Sequence, residues 1–363
     1  MIDTQTVPQT LSVFDQMNAM EHEQVVFCTD QATGLKAIIG IHNTILGPAM
    51  GGTRFWNYAS EQEALTDVLR LSRGMTLKNS IAGLNIGGGK AVIIGDARKI
   101  KNEALLRRFG KFVNSLNGKY WTAEDVNMNT KDMEHIRMET PFATGIQERL
   151  GGSGDPSPVT AYGVYIGMKA SAKKVYGSDS LKGRSVLVQG TGHVGTYLIG
   201  YLIEEGATVL VNDIFEEKIA AVTKKYKVQV VESVYDQDVD IYAPCALGGT
   251  LNNESIPALQ CDIVAGAANN QLLDEEAHGE MLRDRGILYA PDFLINTGGI
   301  TNVYYEMQGN YNREQVMAQT ESIYDTCLSV IDFAEKNHVS THEAALRLAL
   351  QRINQIGQVS LGQ

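Results

Sequence analysis

The sequence predicts an α/β protein in two domains, the first built on a mixed sheet and the second on a doubly wound parallel sheet. Three observations carry this. The chain has 363 residues, more than one hydrophobic core usually organises. Its composition breaks at Gly151-Gly152-Ser153-Gly154-Asp155-Pro156-Ser157-Pro158, where flexible glycines and then prolines stop either neighbour's structure from continuing. Beyond that break, short apolar runs alternate with helix-length segments, the pattern of parallel strands buried on both faces. Before it, strands and helices also alternate, but the first strands are closely spaced, which points to a mixed sheet with helices on it.

Composition narrows the class. Hydrophobic residues at 44% supply full-sized cores, and 20% charged residues with 36 glycines fit a soluble globular chain with many tight turns. The net charge is -11 with no block of basic residues, which argues against a nucleic-acid partner or an anionic membrane surface. Cys28, Cys245, Cys261 and Cys327 are scattered without a C-x-x-C pair, so neither a zinc site nor a disulfide framework is expected. The first residues lack a basic segment followed by an apolar core, and no apolar run reaches about 18 residues. The expected setting is a reducing cytoplasm, with no membrane span.

In chain order, residues 11–22 read as a short amphipathic helix. Gln24–Cys28 and Gly34–His42 read as strands around a turn at Asp30–Gly34, with Val25, Val26, Phe27, Leu35, Ile38, Ile39 and Ile41 as apolar anchors. Leu46–Arg54 is a glycine-rich turn. Ser60 and Glu63 form a capping-box pattern that opens a helix to about Leu71. Ala91–Gly95 reads as a strand, Asn102–Leu116 as a helix, and Tyr120–Trp121 as the start of a strand running into Glu124-Asp125. Val159–Tyr176 is a long helix. Ser185–Gln189 is an apolar strand, followed by a helix that stops at Gly206, a C-cap glycine. Further strands fit Thr208–Asn212, Ile241–Ala243, Ile263–Ala265 and Ile287–Tyr289. From about Gln315 the tail is helical in pattern.

Two stretches carry chemistry. Gly74–Lys90 places Lys78 and Lys90 among small and apolar residues, with Gly87-Gly88-Gly89 before the second lysine. Burial disfavours an ammonium, which would let one lysine act as a base while the other stays a cation that holds an anion. The alternative is two surface lysines beside a loop. The triple glycine is not a phosphate loop: that motif needs an earlier glycine and a Ser or Thr after the lysine, and Leu84 and Ala91 stand there. It reads instead as room for close backbone approach to a small substrate.

The second stretch is G-x-G-x-x-G at Gly190, Gly192 and Gly195. It follows a strand, opens a helix, and has Asp213 at the end of the next strand, the context of a Rossmann dinucleotide fold. Gly190 permits the tight turn, Gly192 lets backbone approach a pyrophosphate at the helix N-terminus, and Gly195 lets helix and strand pack closely. Asp213 would accept from ribose hydroxyls and repel a 2′-phosphate, which favours NAD over NADP. Glu124-Asp125, Asn269-Asn270 and Asn296 stand near strand ends, where ligands bind in open α/β sheets. Thr160 could equally be a plain N-terminal helix residue. No H-E-x-x-H or G-x-S-x-G appears, so metal and serine-nucleophile chemistry are unsupported.

Taken together, LGPAMGGTRFW, GMTLKN, GLNIGGGK, TAEDV, GDPSPVTAYGVY, DIYAPCALGG, AANNQL and INTGGITNV resemble the glutamate/leucine/phenylalanine/valine group of amino-acid dehydrogenases, from about residue 14 to about residue 350. The resemblance implies NAD-dependent, reversible oxidative deamination of an L-amino acid to a 2-oxo acid, ammonia and NADH. It implies that Lys78 binds the substrate carboxylate, that Lys90 and Asp125 are catalytic, and that Gly51 and Gly52 line the substrate site with Met75. Thr160, Gly190, Gly192, His193, Val194, Gly195, Asp213, Ala246, Asn269 and Asn296 become cofactor contacts. It divides the chain into a substrate, catalytic and oligomerisation domain at 1–148, completed by a C-terminal helix at about 339–363, and an NAD domain at 149–338. The two close on each other to expel water, and the chain is expected to form a homo-oligomer.

Substrate choice follows from one wall. Relatives acting on glutamate carry a lysine where this chain has Met50 and a serine where it has Val303; Ala123 and Ile300 complete an apolar surround. An unpaired carboxylate is costly in such a pocket. Glutamate is thereby excluded and branched-chain L-amino acids are expected, leucine first. The alternatives are a preference for phenylalanine or valine, or a non-catalytic NAD-binding sensor.

Overall fold

The computed structural model describes residues 12–361. The reading of the first eleven residues, with the start of the predicted helix at residue 11, lies outside the described residues, as do the last two. The chain divides into two compact units. One takes the residues to Asp155, Val303–Tyr311 and the chain from Ala349; the other takes Pro156–Asn302 and Asn312–Leu348.

The first unit opens with α1 (Val13–Ala19), β1 (Gln24–Asp30), β2 (Leu35–Asn43), β3 (Ala49–Met50), β4 (Thr53–Trp56) and α2 (Glu61–Ile81). It continues with β5 (Gly87–Ile94), α3 (Glu103–Ser115), β6 (Tyr120–Trp121) and α4 (Thr130–Arg137). The sheet runs β1-β2-β5-β3-β6, with β4 beside β5. Strands β1, β2 and β5 pair antiparallel, while β3 and β4 run parallel to β5 and β6 parallel to β3. This is the mixed sheet that the sequence predicts.

Side-chain parity along β5 decides which face meets which helix. Ala91 and Ile93 join Leu105, Phe109 and Val113 of α3 in one core. Val92 joins Leu65, Val68 and Leu69 of α2 in another. By the same parity, Gly88 and Lys90 stand on the α2 face.

Three local readings need correction here. Helix α2 does not stop near Leu71 but runs to Ile81, because Thr76, Leu77, Ser80 and Ile81 continue its buried face past the exposed Gly74. Lys78 is therefore a helix residue. The triple glycine lies inside β5 and makes room for protein. A Cβ on Gly87 would come within 2.0 Å of Asn43 O, one on Gly88 within 2.0 Å of Thr76 Oγ1, and one on Gly89 within 2.8 Å of the Tyr120 ring. The supposed turn at Leu46–Arg54 contains β3 and the start of β4, short strands whose glycines hide their period. Helix α4, which the sequence reading passed over, is fixed by a capping box between Asn129 and Asp132.

The second unit holds β7 (Ser185–Gln189), β8 (Thr208–Asn212), β9 (Gln229–Val230), β10 (Ile241–Pro244), β11 (Ile263–Val264) and β12 (Leu288–Tyr289). All pair parallel, in the order β12-β11-β10-β7-β8-β9. That is the doubly wound Rossmann order, with the switch point between β7 and β10. Helices α5 (Ser157–Tyr176), α6 (His193–Glu205), α7 (Glu216–Lys225) and α8 (Glu275–Asp284) belong to this unit. After them come α9 (Gly298–Met307), α10 (Arg313–Glu321), α11 (Ile323–Asn337) and α12 (Thr341–Leu361). Helix α6 ends at Gly206, whose φ of 91° is the left-handed cap expected. Asn296, expected near a strand end, instead caps a single helical turn at Asp292–Ile295. No helix among the described residues is long and apolar enough to cross a membrane.

Candidate functional site

In the first unit, Lys90 projects from β5 and is only 5% exposed. Its Nζ lies 3.1 Å from Asp125 Oδ1. The other carboxylate oxygen, Oδ2, accepts from Arg54 Nε at 3.0 Å. Arg54 also donates from Nη1 to Asp67 Oδ2 at 3.0 Å, which accepts from the Tyr58 hydroxyl as well. Burial works to push the Asp125 carboxyl up, but Lys90 and Arg54 outweigh it and hold the group below the usual carboxylate range. The adjacent Glu124 goes the other way: burial, then Asp155 and Asp132, push its carboxyl up to about 7. Two neighbouring carboxyls thus differ in charge state near neutrality, a division of labour that acid–base chemistry uses.

Lys78 is half-buried in the last turn of α2, one turn beyond the half-buried Met75 and on the same helix face. The helix is held to the sheet at that height by Asn79 Nδ2, which donates to Gly87 O at 2.6 Å. Gly51 donates to Trp121 O and its own carbonyl accepts from the Tyr120 hydroxyl. A Cβ there would fall 1.8 Å from Gly89 O, and one on Gly52 would fall 2.5 Å from Glu124 O. Both glycines are therefore demanded by packing. Met50 is fully buried, Ala123 is buried, and Ile300 and Val303 stand one turn apart on α9, both buried.

In the second unit the fingerprint glycines separate by role. Gly190 has φ 105°, and a Cβ on it would meet Ala246 N at 2.8 Å. This draws the loop after β7 against the loop after β10, at the switch point. A Cβ on Gly195 would lie 2.0 Å from Gly190 O, so even alanine there would have to displace backbone. At Gly192, the N-cap of α6, a Cβ would meet nothing within 4 Å. That open approach beside a helix N-terminus fits a pyrophosphate. His193 is exposed and Val194 half-buried in the first turn that follows.

Asp213 Oδ2 accepts from Thr191 N at 2.7 Å, and Oδ1 from Phe215 N at 3.0 Å. Burial raises the Asp213 carboxyl, but these backbone bonds prevail and keep it below the usual range, hence anionic. Asn296 Nδ2 donates to Asn269 Oδ1 at 2.8 Å, which joins the segments after β11 and β12. Thr160 Oγ1 donates to Pro156 O, and a Cβ on Gly299 would reach that same Oγ1 at 2.8 Å. Gly190, Asp213, Ala246 and Asn269 thus lie in segments that follow the carboxyl ends of strands, where such sheets bind ligands, while Thr160, His193, Val194 and Gly195 stand in the first turns of α5 and α6.

Sequence reasoning missed Arg54, Asp67 and Tyr58. A signal existed for the first, since Arg54 is the only charged residue between Pro48 and Tyr58. Among the described residues no cluster of three or more His, Cys, Asp or Glu is placed to hold a metal ion.

Comparison with known proteins gives this arrangement its context. The profile of the Glu/Leu/Phe/Val dehydrogenase dimerisation domain matches residues 22–142. That of the Glutamate/Leucine/Phenylalanine/Valine dehydrogenase domain matches 151–214 and 211–359. The chain is 52% identical over 345 residues to leucine dehydrogenase of Thermoactinomyces intermedius, covering 94% of each chain. It is 48% identical over 340 residues to valine dehydrogenase of Streptomyces virginiae, covering 92% of this chain and 94% of the other. The crystal structure of L-tryptophan dehydrogenase from Nostoc punctiforme superposes with a TM-score of 0.84 at 46% identity, covering 95% of this chain and 99% of that one. Matched by both profiles over nearly all its length, the chain belongs to the glutamate/leucine/phenylalanine/valine dehydrogenase family and is an amino-acid dehydrogenase.

Proposed function

We propose that this enzyme deaminates branched-chain L-amino acids, leucine first, with NAD as oxidant, giving the 2-oxo acid, ammonia and NADH in a reversible reaction. The observation that carries the reading is the buried Lys90–Asp125 pair, whose carboxylate is anionic and whose lysine is almost fully screened from water. Bound NAD supplies the acceptor for the hydride that leaves the substrate Cα. Gly190, Gly192 and Gly195 would hold its pyrophosphate, Asp213 its adenosine ribose, and Thr160, Asn269 and Asn296 would contact its other end.

The chain's own residues do the rest. Lys78 holds the substrate carboxylate and so fixes Cα. As the hydride departs with the C–H electron pair, the amine gives up a proton and an imine forms; Asp125 is the group that takes and returns that proton. Lys90, having released its ammonium proton to solvent as the substrate binds, then receives at Nζ the proton lost by the water that adds to the imine carbon. Collapse of the carbinolamine breaks the C–N bond, the hydroxyl proton leaves to form the carbonyl, and the departing nitrogen is protonated through Asp125. A screened, preorganised pair suits this task because charge moves between fixed groups without reorganising solvent.

Leucine is favoured by the relatives named leucine dehydrogenase and by Met50, which offers no cation to a side-chain carboxylate. Valine and tryptophan dehydrogenases are also close relatives, so a panel of L-amino acids with NAD and with NADP is the test. We expect the highest kcat/KM on leucine with NAD and none on glutamate, and K90A to lose turnover by roughly 100-fold or more while still binding NADH. Highest kcat/KM on valine, phenylalanine or tryptophan would overturn the substrate ranking.

A further inference from the structure

We propose that Arg54 is a positioning residue for the reaction: it aims the Asp125 carboxylate at Lys90 through a line of alternating charges that runs Lys90, Asp125, Arg54, Asp67 and ends on the Tyr58 hydroxyl. The inference rests on the role proposed above for the Lys90–Asp125 pair. Its geometry is independent of that role. A carboxylate has two oxygens, and here each has one cationic partner, Nζ of Lys90 on Oδ1 at 3.1 Å and Nε of Arg54 on Oδ2 at 3.0 Å. Two anchors on opposite oxygens remove rotation about the last side-chain bond, which a single ion pair leaves free.

Arg54 is itself held. Its Nη1 reaches Asp67 Oδ2 at 3.0 Å, and the side chains of Arg54 and Asp67 are about a quarter exposed. Asp67 is carried by α2, the helix that also carries Met75 and Lys78, so the line links β5 and β4 to that helix. The planar guanidinium is what permits this: Nε and Nη1 point at two different carboxylates, which one ammonium cannot do. Asp125 faces Lys90 from β5, Arg54 from β4, the Tyr120 phenol from β6 and its neighbour Glu124; beyond Arg54 stand Asp67 and Tyr58.

The test uses the full-length enzyme with whichever L-amino acid the panel ranks first, so a wrong substrate ranking does not touch it. kcat and KM are measured from pH 5 to pH 10, thermal melting beside them. In R54Q we expect kcat to fall by roughly ten-fold or more, KM for the amino acid to hold, and the acid limb of kcat to move to higher pH. In D67N, Arg54 keeps its charge on Asp125 and the limb does not move up. E124Q identifies any part of the limb that belongs to Glu124. Should R54Q fail to fold, R54K decides: the charge stays, the bridge is lost, and kcat falls with the limb in place. R54Q with wild-type kcat and limb, or a change in melting temperature alone, would overturn the proposal, as would R54K with wild-type kcat.

Discussion

Gly88→Ala is the sharpest single perturbation the first unit offers. A Cβ there would sit 2.0 Å from Thr76 Oγ1, 2.2 Å from Thr76 N and 2.5 Å from Thr76 Cα. Ordinary contact begins at 3.4 Å, so the helix backbone has to retreat by about 1 Å. Two of the three atoms are backbone of a 21-residue helix, which cannot swing aside as a side-chain tip can. Overpacking of this kind costs about 3 kcal/mol at the upper end of its usual range. At about 2–4 °C per kcal/mol for a domain of this size, the melting temperature should fall by about 6–12 °C. Because Met75 and Lys78 flank Thr76 on the same helix, kcat/KM should fall with it. Circular dichroism melts and steady-state kinetics on G88A test both. Adding T76A should not rescue the variant, since N and Cα remain. A G88A enzyme that melts and turns over like wild type, or one restored by T76A, would refute the packing argument.

Two further outcomes follow from groups elsewhere. His42 is buried with Nε2 on Met20 O and Nδ1 on Thr76 Oγ1, edge-on to His22; burial above all lowers His42 to about 4 and His22 to about 3. Both are neutral when folded and charge on unfolding. Their burial is therefore harmless above about pH 7 and costs stability as pH falls from about 6.5 toward 4, by roughly 3 kcal/mol for His42. Urea unfolding from pH 7.5 to 4.5 should show a steeper loss in wild type than in H42Q, and equal slopes would contradict it. D213S removes the carboxylate that organises Thr191 and Phe215. KM for NAD should rise roughly ten-fold or more and the preference over NADP should narrow; an unchanged kcat/KM ratio between the two cofactors would sink that role for Asp213.

The second unit was legible because its signals are local and agree with one another. Val186–Val188 is apolar without interruption, Gly190, Gly192 and Gly195 follow at once, and Gly206 ends the helix with positive φ. Gly190, Gly195 and Gly206 meet backbone demands that few residues satisfy, so sequence alone names them. In the first unit the demands are between segments. Gly87, Gly88 and Gly89 look like a loop because glycine is the usual mark of one. They are in a strand because Asn43, Thr76 and Tyr120, remote in sequence, occupy the space a side chain would need. Similarly, Gly74 suggests a helix end, yet it is exposed and costs α2 only about 1 kcal/mol, less than the buried face beyond it returns. Helix α9 was missed for the same reason: Gly298 stands at its start because a Cβ would strike Val159 O at 2.1 Å.

The same distinction explains which part of the site the sequence revealed. Lys90 stood out because its neighbours are apolar, and Asp125 because it adjoins a second carboxylate. Arg54 has neither mark, and its importance arises only when β4 lies beside β5 with Arg54 opposite Val92. From there its guanidinium reaches Asp125 and Asp67 at once. The glycines complete the argument. With side chains at Gly51 and Gly52, Gly89 O and Glu124 O would be displaced, and with them the strand carrying Lys90 and the segment carrying Asp125. A 3.1 Å ion pair between a strand and a loop tolerates little of that, because its strength depends on short, aligned contacts. Gly51 and Gly52 thus act on the chemistry indirectly, by letting backbone approach backbone closely enough that two distant residues meet.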